Sequence, residues 1–206
     1  MSEILPSRFA GPIALAGGGT FAAIDLVLLA YRDDADRIGM LADPVFRTFN
    51  AAYFFAFVGL LISLIAVHGR QSRQAGGFGR FAFCAAVLGT MTRAGDMWFD
   101  GFVSPWLAEV APQVFTAEKG AILQIGALCS YLFFALGWVL YGIAAVRARV
   151  FPVTISLALV VGGVLGWSAG MPPYGVPIGL AVAALGGWLI HTDRAARRAP
   201  APALGS

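Results

Sequence analysis

The chain has 206 residues, 59% of them hydrophobic and only 12% charged, with a net charge of +3 and a mean hydropathy of +0.78. A soluble domain of this size cannot hide so much apolar surface, so a water-soluble enzyme is excluded and the lipid bilayer becomes the main partner. The basic residues gather beside apolar segments and form no stripe, so they read as membrane-topology signals, with no nucleic-acid partner.

The first apolar stretch, about 9–31, is long enough to cross a hydrocarbon core of ~30 Å at ~1.5 Å per residue. It carries Asp25 and lacks a small-residue cleavage signature before Arg32 and Asp33, so it reads as a membrane span and not as a signal peptide. Gly17, Gly18 and Gly19 lie near its middle. They predict either an interrupted helix or a close approach to a neighbour, because each glycine weakens a helix by ~1 kcal/mol relative to alanine.

Further spans are expected at about 48–68, 79–101, 119–146, 151–170 and 175–191, each near the ~20 residues a crossing needs. Met171-Pro172-Pro173-Tyr174 joins the last two as a tight turn. Gly162, Gly166 and Gly170, and Gly175, Gly179 and Ala183, recur every fourth residue and predict that these two spans pack on each other. Between the third and fourth spans, 101–117 holds Pro105, Trp106 and Pro112. A short helix from Pro105 that ends before Pro112 is expected to lie on the outer surface as a lid or an anchor. The fold class is therefore all-α, a single six-span membrane domain over 1–198 followed by a disordered tail, 199–206.

Arg8, Arg70, Arg73, Arg80, Arg147, Arg149, Arg194, Arg197 and Arg198 fall on one side of these spans. Arg32, Arg37, Arg47 and Lys119 fall on the other, among Asp33, Asp34, Asp36, Asp43, Glu109 and Glu118. The positive-inside rule then puts both termini in the cytoplasm and the protein in the inner (plasma) membrane. Phe54-Phe55-Ala56 through Val67 and Arg70 matches Phe133-Phe134-Ala135 through Val146 and Arg149 at a constant offset of 79. This echo suggests a parallel hairpin duplication of spans two and three as spans four and five, with chance alignment of apolar sequence as the competing account.

Ionised groups in lipid are costly and face a bundle interior or a cavity, which makes them the candidate site. Asp25 lies about 24 Å along the first span from Phe9, and Asp96 a similar distance from Arg80. Gln124 lies about 7 Å below the outer boundary, and Asn50 opens the second span at that level. Four spans thus bring Asp25, Asn50, Arg93 or Asp96, and Gln124 to one outer layer. Gly89, Arg93, Asp96 and Asp100 share one helix face, where Arg93 and Asp96 can pair. Either Arg93 bridges Asp25 and Asp96 as structural glue, or the layer is a water-accessible binding or proton-handling site.

No GxSxG, HExxH, P-loop, GxGxxG or zinc-type cluster is present, and no metal site is expected. Cys84 and Cys129 lie in apolar segments as small core residues, and no cofactor is assigned. His68 and His191 fall at cytoplasmic span ends, where solvated or headgroup-contacting roles are expected. The stretches Tyr131–Trp138, Arg147–Pro152, Gly162–Gly166 and Pro172–Pro177 resemble those of small uncharacterised polytopic membrane proteins of actinobacteria and other high-GC bacteria. The resemblance implies a fold of this type and no function.

Three functions follow in order. The first is binding or transport of a small lipophilic or cationic ligand, or of a proton, through an outward-facing polar cavity. The second is a non-catalytic subunit or regulator of a membrane complex, with a membrane-protein partner. The third is an intramembrane acid/base enzyme on a lipophilic substrate, with Asp25 and Asp96 facing each other.

Overall fold

The computed structural model describes residues 9–33 and 35–198, so Arg8, Asp34 and the tail 199–206 lie outside the described residues. Every regular element among the described residues is helical: α1 (Ala10–Ala30), α2 (Arg37–Ala42), α3 (Pro44–Trp98), α4 (Ser104–Val110), α5 (Ala121–Ala148), α6 (Val153–Leu165) and α7 (Val176–Arg198). By length and composition, four helices are apolar enough to cross a membrane: α1, α3 with its extension to Val110, α5 and α7. The apolar helix Val153–Ser168 is shorter.

At ~1.5 Å per residue α3 would be about 80 Å long, far beyond a ~30 Å hydrocarbon core. It is two antiparallel arms, 44–75 and 77–98, joined at Gly76. There φ is 61° and ψ is −160°, a conformation that glycine adopts readily and other residues resist. The reversal is visible in the contacts it makes. Asn50 donates its side-chain amide to the Asp100 carbonyl at 2.9 Å, although a straight helix would separate them by about 75 Å. His68 stacks on Phe83 with ring centroids 4.0 Å apart.

The six helical segments form a closed ring in the order α1, first arm, second arm, α5, α6, α7, with α7 returning to α1. Glycine makes the seams, because its missing side chain lets two helix backbones touch. Gly17 lies on the Gly59 backbone, and Gly18 on Gly179 and Ala183 of α7. Gly89 lies on the Phe133 backbone, Gly137 on Ala85 and Ala86, Gly142 on Val160, and Gly162 on Ile178. The glycine triplet therefore does not interrupt α1, which is continuous from Ala10 to Ala30; Gly17 and Gly18 are seams to two different neighbours. Gly162 joins α6 to α7 as the spacing suggests, whereas Gly179 and Ala183 meet α1.

Aromatic side chains fill the ring's centre. Phe21, Tyr53, Phe57, Phe134, Trp138 and Tyr141 are fully buried and meet edge to face or tilted, with centroids 4.7 to 6.3 Å apart. Trp138 donates its indole N–H to Thr90 at 3.1 Å, which satisfies the polar edge of a core ring. An interior void of ≈ 10 Å³, lined by Ser63, Leu64, Val67, Trp138, Tyr141, Leu159, Val182 and Leu185, has room for about one water.

Beyond Trp98 the second arm passes through a π-helical turn, Phe99–Val103, into α4. This turn leans over the start of α3: Gly101 lies against Ala51 and Asn50, and Phe102 meets Phe54. Arg47 pairs with Glu109 at 2.7 Å. The expected short helix thus runs from Ser104 to Val110, packs against α2 and is tied to the first arm through that ion pair.

A methyl group on Gly18 would lie 2.5 Å from the Gly179 carbonyl oxygen and the Ala183 amide nitrogen, whereas one on Gly19 meets nothing within 4 Å. Gly18→Val should therefore destabilise the folded protein by about 1–3 kcal/mol through overpacking. Gly19→Ala should be neutral or stabilise it by up to ~1 kcal/mol through helix propensity. Thermal unfolding of the purified variants in detergent checks both.

Candidate functional site

Asp25 is 0% exposed, and both its oxygens are occupied. Oδ1 accepts the Tyr53 hydroxyl at 2.5 Å. Oδ2 accepts the backbone N–H groups of Gly175 at 3.0 Å and Val176 at 3.1 Å. Those amides open α7, so the carboxylate sits where a helix presents unpaired donors and the positive end of its dipole. Gly175 is required for the fit: a Cβ there would run into the Tyr53 hydroxyl and the ring of Phe21. Asp25 is thus a clasp between α1, the first arm of α3 and the start of α7.

Arg93 is also buried, and it turns elsewhere. Its guanidinium donates to Asp96 at 2.8 Å and to the Ala169 carbonyl, and lies over the Tyr131 ring 4.1 Å from its centroid. Ser130 of α5 donates its hydroxyl to the same Asp96 oxygen. The bridge from Arg93 to Asp25, one of the two alternatives, does not form, because the loop 166–175 stands between them and feeds both. Its Ala169 carbonyl goes to Arg93 and its Gly175 amide to Asp25. Gly170, at φ 100°, lets the loop pass against Arg93 and Met97. Arg32 holds the Pro172 carbonyl at 2.8 Å from the other side.

Asp96 keeps an open side, with its side chain 34% exposed against 3% for Arg93. The π turn carries the chain away from α5 above Asp96, and the outer end of α5 stands clear of the bundle: every residue from Ala121 to Gly126 is exposed. Ile122 reaches 89%. The partly exposed Asp96 carboxylate, held by the buried Ser130, therefore lies next to this bare end of α5. Tyr131 and Trp167, whose centroids are 6.1 Å apart, lie beside it.

The other sequence candidates separate. Asn50 and Asp100 meet through the Asn50 amide and the Asp100 carbonyl, while the Asp100 carboxylate accepts the Ser104 hydroxyl at 3.2 Å. These contacts hold the π turn. Gln124 is exposed on α5 and donates to the Lys119 carbonyl at 2.7 Å, apart from the other five.

A second polar patch lies at the Gly76 end. Gln71 and Tyr141 are buried, and the Gln71 amide and the Tyr141 hydroxyl face each other. His68, expected among headgroups, packs inside against Phe83 and Tyr141 with Nδ1 unpartnered. His191 is exposed. Arg70 pairs with Asp193 of α7 at 2.5 Å and closes the patch.

No family model, curated protein or solved structure matches the chain. Among the described residues no group of three or more His, Cys, Asp or Glu is placed to hold a metal ion.

Removing the Asp25 carboxylate orphans the Gly175 amide and the Tyr53 phenol, each costing about 1–3 kcal/mol when buried, while the Val176 amide keeps the Pro173 carbonyl. Asp25→Ala should therefore unfold at a clearly lower temperature than wild type. Asp25→Asn, which keeps an acceptor for the α7 amides, should lose less. Tyr53→Phe should cost about 1.5–3 kcal/mol, the worth of one hydrogen bond to a charged group. Ranked melting temperatures in one detergent check the order.

Proposed function

We propose that the protein crosses the bilayer six times with both termini in the cytoplasm, and binds a small lipophilic cation at the exposed side of Asp96. The six-span count is supported by the reversal at Gly76, which divides an over-long helix into two crossings of ordinary length. Val153–Ser168 supplies the fifth crossing, short but apolar. An even number of alternating segments returns the chain to the end where it began. That end carries Arg70, Arg73, Arg80, Arg147, Arg149, Arg194, Arg197 and Arg198, the excess expected of the cytoplasmic side of a plasma membrane. The sequence echo at an offset of 79 does not extend to packing. Phe55 faces outward while Phe134, its counterpart in the echo, is fully buried, so the paired segments do not bury the same face.

The observation that carries the ligand reading is the open side of Asp96. Of the two arm residues in this ion pair, the cation is sealed and the carboxylate is not. A carboxylate that opens beside an apolar helix end selects a ligand that is itself apolar and positive, and the exposed ring of Trp167 nearby can add cation–π attraction. The aromatic plug across the ring favours binding over conduction. An acid/base reaction between Asp25 and Asp96 gains no support, since each carboxylate belongs to a separate hydrogen-bond network.

The same end of α5 favours one second reading. A helix apolar on every face is matched to a covering helix as well as to lipid, so a partner subunit is the alternative. Purification from native membranes with a stoichiometric companion seated on 121–128 would replace the ligand reading.

Tetraphenylphosphonium is a suitable probe. Wild-type protein in lipid nanodiscs should bind it above empty discs, and Asp96→Asn should weaken binding about tenfold or more, as expected for a partly desolvated charge pair. Ser130→Ala, which keeps the charge, should weaken it less. Binding no stronger than to empty discs, or unchanged by Asp96→Asn, contradicts the proposal.

A further inference from the structure

The turn between α5 and α6 carries an arginine where the backbone favours glycine. Arg149 ends α5 in the left-handed region, φ 53° and ψ 26°, with its N–H on the Ala145 carbonyl at 3.3 Å. Among the described residues it is the single non-glycine with positive φ. Helices that end this way use glycine, or sometimes asparagine, because a Cβ is strained there. An arginine at such a position is uncommon, and its side-chain surroundings are the place to look for a reason.

What surrounds it supplies one. Arg149, Arg147, Val146, Phe151, Pro152 and Val153 line a groove of ≈ 820 Å³, open to the outside. Both arginines are exposed, and neither makes an ion pair with a described carboxylate. The Arg147 guanidinium lies 5.0 Å from the centroid of Phe78, which belongs to the Gly76 turn, so the groove sits between two hairpin turns. Phe151 is buried against Trp188 at 5.9 Å, edge to face, and anchors the turn to α7. Val153 is exposed at the rim. Two unpaired guanidinium forks over an apolar wall suit an anion that is phosphate at one end and hydrocarbon at the other.

We propose that this groove binds a phosphate-bearing anion, supplied as the headgroup of an anionic phospholipid from the leaflet at the Gly76 end. The phosphate lies between Arg147 and Arg149, and the first methylenes of the lipid run along Val146 and Val153. The site is at the opposite end of the bundle from Asp96 and independent of the ligand there. It rests only on the membrane reading of the fold. Basic pockets between helices at the cytoplasmic boundary hold anionic headgroups in this way.

The test uses intact protein with phosphatidylglycerol or phosphatidylcholine, read as lipid retained in native mass spectrometry. Wild type should retain phosphatidylglycerol preferentially. Arg147→Ala and Arg149→Gly should each weaken that retention about fivefold, the share of one basic residue near an anionic surface. Arg149→Gly should melt no lower than wild type in lipid-free detergent, because it relieves the backbone, which separates loss of ligand from loss of fold. Wild type without preference for phosphatidylglycerol, or both variants retaining it as wild type does, overturns the proposal. Displacement of the lipid by an equal concentration of glycerol phosphate assigns the groove to a soluble phosphate ester and overturns the lipid source.

Discussion

The architecture depends on how one carboxylate is kept inside an apolar bundle. An ionised aspartate in a low-dielectric interior is costly unless its oxygens are hydrogen-bonded. Asp25 meets that condition with a phenol from the first arm of α3 and two amides from the start of α7. The requirement fixes three elements at once. α7 must begin at Val176, the loop 166–175 must fold back across the ring, and Tyr53 must point inward. Helices that touch only through glycine seams could slide along one another; a buried polar clasp with directional bonds sets their register.

That division of labour places the open carboxylate elsewhere. Arg93 spends its donors on Asp96 and the Ala169 carbonyl, so its charge is neutralised locally and the loop gains a second anchor. The π turn then shifts the chain toward the first arm, and the outer end of α5 is left without a neighbour. π-helical turns recur at functional sites because an extra residue changes which groups line a surface. Here the consequence is an opening at Asp96. The band of polar residues thus holds a sealed structural half and an exposed half.

Much of this was legible in the sequence, for a physical reason in each case. Asp25, Arg93 and Asp96 stand out because charge in an apolar run always needs an explanation, and the Arg93–Asp96 pair follows from helical spacing. Gln124 separated from the rest because depth along a helix fixes level but not azimuth; its side chain reaches back to Lys119. Tyr53 was missed because it sits in the run Tyr53-Phe54-Phe55, which reads as core, although it lies one turn beyond Asn50. The amides of Gly175 and Val176 have no side-chain signature, and only the Pro-Pro-Tyr-Gly turn before an apolar helix marks them. The break in α3 at Gly76 is legible because Gly76-Gly77 and its basic flank interrupt the hydropathy. The π turn left no mark, since nothing in Phe99-Asp100-Gly101-Phe102-Val103 distinguishes π from α geometry. The glycine triplet pointed to two outcomes, and backbone contact with α3 and α7 selected packing.

The central claim is that Asp25 is closed and Asp96 is open. Labelling of native membranes with a lipophilic carbodiimide, followed by peptide mass spectrometry, tests it on unmutated protein. The account predicts adducts on Asp96 and none on Asp25 while the protein remains folded. Modification of Asp25 at a rate equal to that of Asp96 would contradict it.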